Sequence, residues 1–172
     1  IGSELIKNLE KILKLYSIKS SKYLIIFDKN VPKKYIRIIK KKIKKKIILL
    51  KFLSSEKNKN QKNVDYILNI LLKNNFNRND CVISVGGGII GDLSAFAASI
   101  FKRGLKFVNI PTTLLAQVDS SIGGKTGINT KFGKNLIGSF YQPSLVISDI
   151  NFLKSLPPRE IICGYGEILK HS

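Results

Sequence analysis

The sequence predicts an α/β domain, a parallel sheet with helices on both faces. Two observations carry this. Short apolar runs of strand length occur at residues 23–27, 47–50, 81–85, 106–110 and 145–148. Most of the segments between them repeat apolar residues at helical spacing. Short apolar strands alternating with amphipathic helices favour a sheet buried on both sides.

The elements follow in order. Leu5, Leu9, Ile12, Leu13 and Tyr16 form the stripe of a first helix, ahead of a buried strand at 23–27. Ile36, Ile39 and Ile43 mark a basic helix that opens after Pro32, and a strand follows at 47–50. After a polar link over 54–61, Val64, Ile67, Leu68 and Leu71 mark a third helix. It ends near Asn74-Asn75, before the strand at 81–85. A fourth helix is expected from Asp92 to Phe101, with Gly104 beyond it as a stop. Strands at 106–110 and 145–148 come next, and Pro157-Pro158 opens a last helix that runs to Ser172. The stretch 111–143 is too long for a plain connection, and ordered connections of that length in α/β domains are usually functional. There is no internal repeat.

At 172 residues the chain has the length of one ordinary domain. A hydrophobic content of 44% fits a globular protein. No uninterrupted apolar run approaches the roughly 20 residues of a membrane-spanning helix. The start, Ile1-Gly2-Ser3, shows neither an initiator Met nor a signal segment, as expected of a chain trimmed at its N-terminus. Cys81 and Cys163 form no CxxC pair and are expected as reduced thiols of a cytoplasmic protein, with Cys81 in the core.

The net charge of +19 invites a nucleic-acid reading, but its distribution argues against one. The basic residues crowd the first third, above all in Lys40-Lys41-Lys42-Ile43-Lys44-Lys45-Lys46, where they alternate with Ile. Arginine, better suited to bidentate phosphate and base contacts, occurs only four times. The run reads as a solvated helix face.

Gly86-Gly87-Gly88-Ile89-Ile90-Gly91-Asp92 lies between an expected strand and an expected helix. Glycines let backbone amides approach a ligand, and a helix N-terminus adds partial positive charge, so the segment suits a diphosphate. It is not the GxGxxG fingerprint, and a tight turn with close strand–helix packing fits the same residues.

The residues from Ile110 through Asn129, then Gly133-Lys134-Asn135 and Phe140-Tyr141-Gln142-Pro143, resemble the most distinctive blocks of the 3-dehydroquinate synthases. The resemblance spans nearly the whole chain and is sharp over 82–170; earlier it rests on marks such as Asp28-Lys29-Asn30 and Glu56-x-x-Lys59. It implies a Rossmann-like NAD-binding domain over 1–156 and, over 157–172, the first helix of a mostly helical C-terminal domain absent from this chain. NAD contacts are implied at Asp28, Asn30, Ser54, Ser55, Glu56, Lys57, Asn58 and Lys59. They continue at the diphosphate turn Gly88, Ile89, Ile90, Gly91 and Asp92, at Thr112 and Thr113, and at Phe152, Leu153, Lys154 and Ser155. Lys125 and Lys134 are implied between cofactor and substrate. Asp119, Lys125, Lys134, Asn135 and Lys170 match substrate-site positions, Arg103 an arginine offered to a neighbouring subunit's phosphate site, and Glu167 a first ligand to a divalent metal, zinc or cobalt.

The family's substrate is a seven-carbon keto-sugar acid phosphate, for which lysines and an arginine are suitable partners. Its reaction oxidises a hydroxyl with NAD, eliminates phosphate, reduces the ketone again, and closes the ring by an aldol addition. The resemblance implies a homodimer when full length, without membrane or specific nucleic-acid partners. Taken singly, Asp119 also fits a helix or turn cap, Lys125 a solvated lysine and Glu167 a surface carboxylate. His171 lies four residues after Glu167 on one helical face, but the family's histidine ligands lie further downstream, and His171 is expected to be exposed. A catalytic zinc needs about three protein ligands, so the chain alone is expected to bind NAD weakly at most and not to turn over. Competing readings are another sugar-phosphate cyclase making an inosose or a valiolone, a metal-dependent glycerol-type dehydrogenase, a degenerate basic binding module, and a piece with no function of its own.

Overall fold

The computed structural model describes residues 1–171, and side chains through Lys170. Its strands are β1 (Lys22–Asp28), β2 (Lys46–Phe52), β3 (Cys81–Gly86), β4 (Lys106–Pro111), β5 (Lys125–Thr130), β6 (Gly133–Phe140) and β7 (Leu145–Val146). Its α-helices are α1 (Leu9–Leu15), α2 (Lys33–Lys42), α3 (Gln61–Lys73), α4 (Gly88–Ile100) and α5 (Pro158–His171). Five strands form one parallel sheet in the order β2-β1-β3-β4-β7.

Side chains alternate across a strand, so each apolar run feeds two cores. Leu24, Ile26 and Val82 meet Val64, Ile67 and Leu71 of α3 and Ile90 and Leu93 of α4 on one face. Tyr23, Ile25, Ile83 and Val108 meet Leu9 and Leu13 of α1 and Ile36 and Ile39 of α2 on the other. This is the expected parallel sheet with helices on both faces. Cys81 is fully buried, as expected, and burial pushes its thiol up. Every lysine from Lys40 to Lys46 is exposed around buried Ile43, as expected of a solvated face, but α2 ends at Lys42, so Lys44, Lys45 and Lys46 lie beyond the helix rather than on it.

Several boundaries differ from expectation. Helix α4 begins at Gly88 rather than Asp92, with extended Gly87 as its N-cap. Glycine weakens local helix preference, which hides the start; tertiary packing supplies it, because buried Ile90 lies against Gly86. The expected strand at 145–148 pairs over only Leu145 and Val146. The backbone beyond turns away at buried Asp149, whose carboxylate accepts the N–H groups of Glu4 (3.0 Å), Ile6 (3.1 Å) and Asn151 (3.0 Å). The stretch 111–143 is ordered as a π-helical turn (Ala116–Ser120) and the antiparallel hairpin β5–β6.

The strand order reverses between β1 and β3. At such a switch point the connections leaving the carboxyl ends diverge and leave a crevice. Gly86 keeps that corner tight: a Cβ there would lie 2.8 Å from Ile90 Cβ. Gly86→Ala is therefore expected to cost about 1–3 kcal/mol by overpacking. A lowered urea midpoint at unchanged slope is the expected result, and an unchanged midpoint would refute the contact's importance.

Candidate functional site

A cleft of about 590 Å³ lies at the carboxyl ends of β1 to β4. Of the residues expected to contact NAD, Asp28, Asn30, Ser54, Glu56, Lys59, Gly88, Ile89, Asp92, Thr112, Thr113, Phe152 and Ser155 line it. Several are held by local hydrogen bonds or packing. Asp28 accepts the Asn30 N–H at 2.9 Å, closing the turn after β1. Thr113 Oγ1 accepts the Ala116 N–H at 3.2 Å, and the Thr112 N–H is anchored on the Gly86 carbonyl at 3.0 Å. Phe152 is buried against Tyr35, ring centroids 4.5 Å apart.

At the start of α4, Gly87 offers no side-chain cap, so the first N–H groups of the helix face the cleft without one. A Cβ at Gly88 would lie 2.9 Å from Ser120 Oγ, and one at Gly87 3.3 Å from Thr113 Cγ2. The bare backbone is what leaves room for an anionic group against these amides.

The remaining expected NAD contacts do not line this cleft. Ile90 is buried in the core, and Gly91 faces Asn109. Asn58 donates to the Leu53 carbonyl at 2.8 Å within the turn Glu56–Asn58, while Ser55, Lys57, Leu153 and Lys154 lie outside the lining. Conversely, Val31, Pro32, Leu115, Leu156 and Glu160 line the cleft without having been expected there. The apolar ones carry no chemical signal; only adjacency to the expected segments could have pointed to them.

A second cleft of about 530 Å³ opens beside the first, against the β5–β6 hairpin. Asp119, Lys125 and Asn135 line it, and Asp92, Asp119 and Ser120 line both clefts. Asp119 lies within the π-helical turn Ala116–Ser120, whose N-cap is Leu115. Lys59, only 6% exposed, pairs with Asp92 and donates to Asn135 Oδ1 at 2.6 Å. Three separately expected residues thus meet at one ammonium group.

Lys134 and Arg103 are exposed and line neither cleft. Helix α5 docks on the turn before Ala116 at Gly164, where a Cβ would lie 2.5 Å from Leu114 Cγ. Near its end Lys170 donates to Glu167 at 2.6 Å. That bond, helped by the charges of Glu167 and Asp119, holds the Lys170 ammonium above its ordinary range. Among the described residues no three His, Cys, Asp or Glu side chains gather to hold a metal, so the donors present do not complete a site around Glu167. The side chain of His171 lies outside the described residues.

Solved sugar-phosphate cyclases share this architecture. A 2-deoxy-scyllo-inosose synthase complexed with carbaglucose-6-phosphate, NAD+ and Co2+ matches with a TM-score of 0.89 at 28% identity, over 98% of this chain and 46% of that one. The 2-epi-5-epi-valiolone synthase from Streptomyces hygroscopicus subsp. jinggangensis 5008, with NAD+ and Zn2+ bound, matches at 0.88 and 29% identity, over 99% and 48%. The family profile described as 3-dehydroquinate synthase N-terminal matches residues 49–163. The 3-dehydroquinate synthase of Pelagibacter ubique (strain HTCC1062) is 65% identical over 173 residues, covering 100% of this chain and 47% of its own length. The chain belongs to the 3-dehydroquinate synthase family, and it spans about half the length of the curated relatives it matches.

Burial pushes the Asp92 carboxyl above the ordinary aspartate range, more than Lys59 pulls it down. A raised pKa means that the unfolded chain releases this proton first as pH rises, so the group's contribution to stability falls across that window. The stability of wild type relative to Asp92→Asn is expected to decline as pH rises from about 4. Urea titrations across the acid range check this, and a gap that widens in favour of wild type would contradict it.

Proposed function

We propose that this chain is the NAD-binding part of a 3-dehydroquinate synthase, which converts 3-deoxy-D-arabino-heptulosonate 7-phosphate to 3-dehydroquinate and phosphate. The observation that carries the reading is the shared wall: Asp92, Asp119 and Ser120 face both clefts, so two ligands would meet there. In this reading the first cleft takes NAD and the second the sugar acid phosphate.

Bound NAD supplies a hydride acceptor that is regenerated within the cycle. The chain's own residues bind and orient. Amides at the start of α4, on Gly88 and Ile89, seat the diphosphate, with Asp28, Asn30, Glu56 and Thr112 along the same cleft. Lys125 and Asn135 offer a cation and a carboxamide to the substrate from the hairpin side. Lys134 and Lys170 add positive charge nearby, which suits a substrate carrying carboxylate and phosphate. Arg103, exposed and left-handed at φ 66°, fits the role of reaching a neighbouring subunit in a full-length homodimer.

The wider enzyme would need a divalent metal, zinc or cobalt, with Glu167 as one ligand. Among the described residues the donors do not suffice for it. Greater identity to dehydroquinate synthases, 65% against 28–29% for the inosose and valiolone enzymes, supports this substrate over theirs. A cytoplasmic location is part of the proposal, consistent with two free thiols.

Calorimetric titration of the purified chain with NAD tests the assignment. Weak saturable binding is expected, with Kd on the order of 0.1–1 mM, or about −5.5 to −4 kcal/mol, and no phosphate release from the heptulosonate phosphate. Phosphate release at a rate near that of a full-length relative would overturn the dependence on further residues, and absence of NAD binding would overturn the cofactor assignment.

A further inference from the structure

We propose that Asn129 is a positioning residue that mechanically couples the nucleotide cleft to the hairpin cleft. It lines neither. The hairpin pairs Ile128 with Ile137 and Thr130 with Gly133, and its register shifts between them: Asn129 alone stands opposite Lys134, Asn135 and Leu136, so the extra residues lie on β6 and Asn129 has no ladder partner. Such an irregularity interrupts the ladder and re-aims the side chains beside it, which leaves the groups of Asn129 free to bond outside the hairpin's regular pairs.

Asn129 uses that freedom across the gap to the 54–60 loop. Its peptide N–H donates to the Lys59 carbonyl at 2.8 Å. Its carboxamide nitrogen donates to Glu56 Oε2 at 2.7 Å and to the Glu56 carbonyl at 3.3 Å. Its carboxamide oxygen accepts the Asn135 N–H at 3.0 Å. Asn135 sits at φ 56°, and its own side-chain oxygen accepts from Lys59 Nζ at 2.6 Å. The result is a closed ring through Glu56, Asn129, Asn135 and Lys59.

Glu56 and Lys59 line the first cleft, and Asn135 lines the second. A shift of the 54–60 loop on nucleotide binding is therefore carried to the hairpin through this ring, in which the Asn129 carboxamide is the link between Glu56 and Asn135. Only an amide fits this place: the donor is required toward Glu56 and the acceptor toward Asn135. Alanine removes all three side-chain bonds. Aspartate keeps the acceptor but sets a second carboxylate against Glu56.

The inference rests on the first cleft being the NAD site. The test is hydrogen exchange of hairpin amides over 130–140 with and without saturating NAD, in wild type, Asn129→Ala and Asn129→Asp, with NAD binding followed by calorimetry on the same samples. NAD is expected to slow hairpin exchange several-fold in wild type. Both variants are expected to keep NAD binding within about tenfold, a tenfold change being 1.4 kcal/mol, and to lose the NAD-dependent slowing. A residue that only stabilised the hairpin would speed exchange with and without NAD alike and leave the difference between them intact. If wild type binds NAD without slowing hairpin exchange, or either folded variant keeps the slowing, the coupling is overturned while the NAD assignment stands. If wild type binds no NAD, the assignment fails first and the inference falls with it.

Discussion

The pairing of Lys59 with Asp92 is the constraint on which the site depends. Both side chains are largely withdrawn from water, at 7% and 19% exposure. A buried charge is tolerated only when its partner is held in place. Lys59 follows the short turn Glu56–Asn58, Asp92 is the fifth residue of α4, and Asn135 of β6 supplies the further acceptor. The loop after β2, the start of α4 and the hairpin are therefore fixed relative to one another. The hairpin belongs to a separate two-stranded sheet, and it is also attached through the bonds of Asn129 to Glu56 and Lys59 and through buried Ile128 in the core that α4 covers.

The sheet determines where this pair can form. All five strands run in parallel, so β1 to β4 release their connections at one end. The order reverses beside β1, and the connections after β1, β2, β3 and β4 each give the cleft a segment. The close fit of Gly86 against Ile90 and of Gly88 against Ser120 allows α4 to begin directly at the strand end. Its unfilled amides then face the space that the reversal opens. Strand order and glycine placement thus act together, one making the crevice and the other lining it with donors.

The core was legible in the sequence because burial on both faces leaves strands as continuous apolar runs, and because amphipathic helices keep their stripes. The start of α4 was not legible, since Gly88 and Gly91 weaken the helical pattern at the point where packing imposes it. The hairpin was hidden for a different reason. Most of β6 is exposed, so no alternation marks it, and glycines interrupt it at Gly133 and Gly138. Asp149 went unnoticed because its partners Glu4 and Ile6 lie at the other end of the chain. In the site, resemblance supplied residue positions that chemistry alone left ambiguous, and twelve of the NAD-assigned residues do share one cleft. Their connections were not visible: nothing in the sequence links Lys59 to Asn135, or marks Asn129 as the link between Glu56 and Asn135.

A crystal structure of the chain soaked with NAD tests the central claim most directly. The account predicts the diphosphate against the Gly88 and Ile89 amides, with the nicotinamide end directed to the wall of Asp92, Asp119 and Ser120. A nucleotide bound elsewhere, or one whose nicotinamide points away from the hairpin cleft, would contradict it.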